Sequence, residues 1–174
     1  MKVLAWVAAG VLAGCGQVPV MSMVELARFD PLTSDLAAVS VAVDVTEGLR
    51  VAPGGAVMTL GAMAKDGRQV SEAFTLEQRR AAEGDRWLFG VAPENAARLE
   101  ETRQAILALK AEDPETAGQL SVTAAPCRAG PGADGPQVVD VFLQLAPDRP
   151  FVPVAPRVDL LAEGVPLPDC AAAG

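Results

Sequence analysis

The sequence feature that most constrains the fold is a two-residue alternation of apolar and polar side chains in several short segments. In residues 36–45 (LAAVSVAVDV), valines occupy every second position from 39 to 45. Successive side chains of a β-strand point to opposite faces of a sheet, so this pattern predicts a strand with one buried face. Similar segments lie at 56–64, 69–77, 87–91, 119–124 and 137–145. The alternation therefore predicts a protein built mainly from strands.

Turn signals separate the predicted strands. Asp66-Gly67 is a strong signal for a β-hairpin between the strands on either side of it. Residues 79–86 (RRAAEGDR) predict a second turn, and the composition of residues 127–136 predicts a loop. The prolines within residues 147–156 restrict that stretch to short edge pieces, because proline cannot donate to a sheet ladder.

One segment has the periodicity of a helix. Leu99, Thr102, Ile106 and Leu109 recur at the spacing of one helix face, so residues 93–112 predict an amphipathic helix. Such a helix can lie on a partner or a membrane, but more often it covers one end of its own sheet. We therefore expect it to pack on the predicted strands.

These elements indicate a fold class. Seven or eight short strands with turn signals between them predict a mainly β protein, specifically an antiparallel β-sandwich, immunoglobulin-like or similar. The amphipathic helix near 93–112 is then an insertion, and an α+β fold is the alternative. A length of 174 residues fits one domain better than two.

The amino-acid composition excludes most common catalytic mechanisms. The chain contains no histidine and no tyrosine. Without histidine it lacks the usual general base near neutral pH and the commonest metal ligand. None of its serines lies in a nucleophile motif. We therefore predict a non-enzymatic protein with no catalytic residue, no metal site and no cofactor.

Three short stretches carry side chains that also occur in functional sites. Glu112, Asp113 and Glu115 lie at the end of the predicted helix and just after it. Paired carboxylates can hydrolyse glycosides, but the absence of nearby aromatic residues favours solvated charges. Residues 131–136 (PGADGP) supply one carboxylate, whereas a calcium site needs six or more oxygens, so a turn is favoured. Residues 84–87 (GDRW) favour a strand entry with a core indole over a binding corner.

The charge of the chain limits its partners. The net charge is -8, from 22 acidic and 14 basic residues. Binding to nucleic acid depends on lysine and arginine neutralising phosphates, so the sequence argues against a nucleic-acid partner. The same sign argues against electrostatic attraction to anionic lipid headgroups.

The first fourteen residues have the layout of a secretory signal. Lys2 precedes an apolar stretch, Val3 to Val11, and small residues follow it. The segment 1–14 is too short to span a bilayer, because a spanning helix needs about 20 residues. We therefore expect an exported protein rather than one with a membrane helix here.

A cysteine directly after this segment makes the prediction more specific. The stretch LAGC at residues 12–15 resembles the lipobox of bacterial lipoproteins. The resemblance implies that the Cys15 thiol receives a diacylglyceryl group, that cleavage occurs between Gly14 and Cys15, and that the new amino terminus carries a further acyl chain such as palmitate. Several acyl chains anchor a protein stably, since each buried CH₂ contributes about 0.8 kcal/mol. In related lipoproteins of bacteria with two membranes, an aspartate after the cysteine tends to retain the protein in the inner membrane. For a source of that kind the resemblance therefore implies that Gly16 favours the outer membrane, facing the periplasm.

Two cysteines remain if Cys15 is lipidated. Export would place Cys127 and Cys170 in an oxidising compartment, where disulfides persist and only one intramolecular pairing exists. We predict that they form a disulfide that fixes the C-terminal tail to the domain. Free thiols and a bridge to another chain are the alternatives.

Together these observations predict a signal peptide at 1–14, a lipidated amino terminus and tether at 15–35, and one β-rich domain at 36–174. The expected role is that of a structural, accessory or assembly factor of the cell envelope. It would be held on the lipid bilayer through acylated Cys15 and would act by contact with another envelope protein. A binding module for a small ligand or an envelope glycan is the alternative.

Overall fold

The computed structural model describes residues 29–83, 86–130 and 135–170, and its architecture is mainly β, as predicted. The strands are β1 Ser40–Val45, β2 Leu49–Met63, β3 Gln69–Glu83, β4 Arg86–Val91, β5 Ala117–Arg128, β6 Val138–Gln144 and β7 Val152–Asp159. They form one antiparallel sheet in the order β5-β2-β3-β4-β1-β6-β7. Each segment with alternating side chains lies wholly or partly in one of these strands.

The sheet curls because β3 belongs to two halves of it. Residues 69–75 of β3 pair with β2, whereas Leu76 and the residues after it pair with β4. Side chains from both halves meet in one hydrophobic core, which includes Phe74 from one half and Val43 from the other, both fully buried. One continuous curled sheet therefore forms the walls around the core of the predicted antiparallel β fold.

The predicted helix is present and buries the predicted face. A 3₁₀ turn, Pro93–Asn95, leads into α1, Ala96–Glu112. Its buried residues are Leu99, Thr102, Ile106 and Leu109. α1 packs against β2 and β3, and burial of each large apolar side chain contributes about 1.5–3 kcal/mol. The helix thus covers the inner surface of one half of the sheet, as expected.

The predicted turn at residues 79–86 was wrong. β3 continues to Glu83 and keeps pairing with β4, through Arg80 opposite Leu88 and Glu83 opposite Arg86. The register shifts twice along this ladder, after Gln78 and after Arg80. Arginine, alanine and glutamate favour helices, yet residues 80–83 are extended because pairing with β4, rather than local propensity, determines the conformation.

The segment before β1 also packs on the domain. Leu32 and Leu36 are buried in the core, and Phe29 lies against it. The guanidinium of Arg103 in α1 donates to the Leu32 carbonyl at 2.8 Å. Part of the predicted tether is therefore in contact with the domain. The predicted signal peptide and Cys15 lie outside the described residues. Within the described ranges, no helix has the length and apolar character needed to cross a membrane.

Candidate functional site

The structure brings Cys127 and Cys170 to disulfide distance. Their sulfur atoms are 2.13 Å apart and their Cα atoms 4.9 Å apart, as the sequence predicts. Cys127 is fully buried at the end of β5. The backbone N–H of Arg128 donates to the Pro168 carbonyl at 2.9 Å, and Arg128 forms an isolated parallel bridge with Asp169. The C-terminal tail therefore covers the last residues of β5.

The acidic group after the helix has a structural role. Glu115 forms an ion pair with Lys65 at 2.7 Å, and Glu112 pairs with Arg68. Asp113 accepts the backbone N–H of Lys65 at 2.8 Å and that of Glu115 at 3.0 Å. These carboxylates thus connect the end of α1 to the β2–β3 hairpin turn. They do not face one another across a cleft, as a glycosidase pair would.

Arg86, from the predicted corner GDRW, is held on the outer face of the sheet. Its guanidinium makes two hydrogen bonds to the Asp44 carboxylate, both 2.6 Å, which raise the pKa of Arg86. The same group lies 5.1 Å from the ring centre of Phe142 and 6.0 Å from that of Phe151. Asp85 and the candidate calcium loop residue Asp134 lie outside the described residues. Among the described side chains, no cluster of three or more potential ligands is placed to hold a metal ion.

One edge of the sheet is open. β5 pairs with β2 on one side, and over residues 117–127 no strand in the described part of the chain pairs with its other side. No residue in this range is charged, although 21% of the whole chain is. An edge strand presents unpaired backbone N–H and C=O groups, and charged side chains are a common protection against further pairing. β5 lacks that protection.

The opposite edge is blocked. β7 contains Pro153 and Pro156, and Arg157 has a positive φ of 53°. Its register with β6 shifts twice. Proline, bulges and charge each hinder the addition of another strand. β5 contains one proline, Pro126, near its C-terminal end, so the two edges of the sheet differ in their capacity to pair over residues 117–125.

The outer face next to the open edge is also uncharged. On this face the side chains of β5 lie beside those of β2 and β3, with Ser121 opposite Thr59 and Thr59 opposite Ala73. We call this surface the neutral face. It consists of Val57, Thr59, Gly61, Ser71, Ala73, Thr75, Gln119, Ser121 and Thr123.

Sequence reasoning assigned residues 119–124 to a strand but missed its position at an edge. Leu120, Val122 and Ala124 lie against the core, as their alternation predicts. The sequence does contain one indication of an unprotected edge: residues 117–127 include no charged side chain. Comparison of the chain with protein-family models, with curated protein sequences and with solved structures finds no match.

Proposed function

We propose that this chain is a membrane-anchored envelope lipoprotein whose β domain binds an extended segment of another envelope protein at β5. The observation that carries the proposal is the open, uncharged edge of β5 in a sheet whose other edge is blocked. The resemblance of residues 12–15 to a lipobox supports the location, and the open edge of β5 supports the mode of contact. Strand addition to an exposed edge is a recurring mode of peptide recognition.

The side chains of β5 specify the kind of segment that fits. Leu120 and Val122 are half-buried on the inner side, so an added strand needs apolar side chains there to complete their burial. Ser121 and Thr123 are exposed on the outer side, where small uncharged side chains continue the neutral face. The expected partner segment therefore alternates apolar with small polar residues and carries no charge over about nine residues.

The test is site-specific photo-cross-linking in cells. A photoreactive residue at Gln119 on β5 should form an adduct with a different protein, whereas the same residue at Gln69 on β3 should not. Both positions are exposed, but only Gln119 is on the open edge. The proposal would be contradicted if the cross-linked product contained two copies of this chain, or if the photoreactive residue at Gln119 formed no adduct.

A pair of charge variants separates the edge from the face. Replacing Ser121 and Thr123 with lysine should abolish the Gln119 adduct, because charged edges resist pairing. Replacing Ser71 and Thr75 with lysine adds the same charge to the same face on an inner strand, and should leave the adduct intact. If both double variants lost the Gln119 adduct to the same extent, the result would count against strand addition.

The proposed lipid anchor is tested by replacing Cys15, whose thiol would carry the diacylglyceryl group. Changing Cys15 to Ala should release the protein from the membrane fraction, because the acyl chains have no other attachment site in this proposal. Cys15→Ser serves as a second variant with a similar side-chain volume. Membrane attachment that survives both substitutions would refute the lipid anchor and leave the β5 proposal to the cross-linking result.

A further inference from the structure

A cavity of about 420 Å³ lies between β2, β3 and β4. Its volume is within the range of about 300–1,000 Å³ found for small-ligand sites. Apolar side chains form much of its wall, and Cys170 borders it. The apolar lining residues include Val51, Leu76, Trp87 and Phe89. Val51, Leu76 and Phe89 are buried in the core, whereas Trp87 is half-buried.

An irregularity in β2 makes room for this cavity. The pairing of β2 with β5 shifts between Val51 and Ala56, so the intervening residues leave the ladder. Gly54, within this irregularity, has a φ of +68°, a conformation that glycine adopts without steric cost. Bulges bend a strand and re-aim its side chains, and they are common beside binding sites. Ala52, Pro53 and Gly54 of this irregular segment line the cavity together with Trp87.

The charge at the cavity differs from that of the whole protein. The chain has a net charge of -8, yet the described lining residues include no aspartate or glutamate. They include Arg50, which is exposed and belongs to none of the ion pairs among the described residues.

A second cavity, of about 300 Å³, lacks an available cation. Its arginine, Arg103, donates to both carboxylate oxygens of Glu100 and to the Leu32 carbonyl. The cavity at Trp87 therefore combines an apolar wall with an arginine that forms no ion pair within the described part of the chain.

We propose that the cavity binds a small monoanion with an aromatic body. The ring packs against Trp87 and the apolar wall, and the carboxylate or sulfonate pairs with Arg50. Aromatic rings stack on indoles, and a hydrogen bond between arginine and an anion is stronger than a neutral one. This site is separate from β5 and does not depend on the strand-addition proposal.

The test uses 2-naphthoate and its neutral analogue 2-naphthamide as probes. The full chain carrying Trp6→Phe has Trp87 as its only tryptophan, so the indole N–H signal in a proton–nitrogen NMR spectrum reports this site alone. We expect 2-naphthoate to shift that signal and to bind about tenfold more tightly than 2-naphthamide. Equal affinity for the two probes, or no shift with either, would overturn the proposal.

Two variants locate the interactions. Arg50→Gln should reduce 2-naphthoate affinity to that of 2-naphthamide, whereas Arg149→Gln, at an exposed arginine outside the cavity, should change neither. Ala52→Phe places a ring at the cavity wall and should abolish binding of both probes. If Ala52→Phe does not fold, Arg50→Gln still decides the question, because an exposed side chain can be replaced without disturbing the core. Unchanged selectivity in Arg50→Gln would contradict the proposed anion contact.

Discussion

At the residue scale, Arg79 explains why a glycine occupies position 90. The guanidinium of Arg79 donates to the Val91 carbonyl at 3.2 Å and to the Ala37 carbonyl at 3.0 Å. To do so it lies across Gly90, where a Cβ would overlap its Nε and Cζ atoms. Glycine inside a strand often marks such a close approach. The arginine thereby links β3 to β4 and to the turn before β1.

We predict that Gly90→Ala lowers the free energy of unfolding by about 1 kcal/mol, because it displaces Arg79 from these hydrogen bonds. In an Arg79→Ala background the same substitution should be neutral or stabilising, since alanine then has room and loses less backbone entropy than glycine. Urea unfolding of the four chains measures both effects. A loss of stability in both backgrounds would mean that the Cβ meets something other than Arg79.

At the element scale, the end of α1 and the β2–β3 turn stabilise each other through charges. Arg68 donates its backbone N–H and its side chain to Asp66, and these hydrogen bonds lower the pKa of Asp66. The hydrogen bond to Glu112 in turn raises the pKa of Arg68. All these groups are exposed, so the contribution of each to stability is small and is reduced by salt.

The lowered pKa of Asp66 predicts a dependence on pH. A carboxyl whose pKa falls on folding stabilises the protein above its unfolded pKa of about 4, and this contribution is lost as the pH falls through the lower folded pKa. In Asp66→Asn, the free energy of unfolding should therefore fall less steeply as the pH drops below about 4. The turn should be preserved, because Asn-Gly also favours hairpins. Urea midpoints measured from pH 5 to pH 2 test this. Asp148→Asn is the control, and an equal change in it would refute the assignment.

The elements also show what the sequence could and could not predict. The helix was predicted closely because its four buried positions follow from local spacing alone. The end of β3 was not predicted, because residues 80–83 are extended by their pairing with β4. Local composition does not reveal that pairing. Trp87 packs against the core, as the sequence predicts, but it is only half-buried and it also lines a cavity. That cavity depends on a register shift in a distant strand, so no local pattern encodes it.

At the scale of the whole molecule, the disulfide determines how much of β5 is open. The bond at Cys127 holds the tail beside Arg128, so that the Pro168 carbonyl accepts the last outward N–H of the strand. Val165 and Leu167 of the tail lie against the core. The free edge therefore ends where the tail begins. This arrangement couples the stability of the domain to the length of its proposed binding edge.

We predict that Cys170→Ala lowers the free energy of unfolding by up to about 4 kcal/mol, the value that the chain-entropy model gives for a loop closed across 43 residues. The untethered tail should then leave β5 more often, exposing a longer edge and raising the tendency to self-associate. Urea unfolding and light scattering measure the two effects, with chemically reduced wild-type protein as the control. Because reduction removes the same bond, the reduced chain should match Cys170→Ala in both its free energy of unfolding and its tendency to self-associate. A variant as stable and as monomeric as the oxidised chain would mean that noncovalent contacts alone hold the tail on β5.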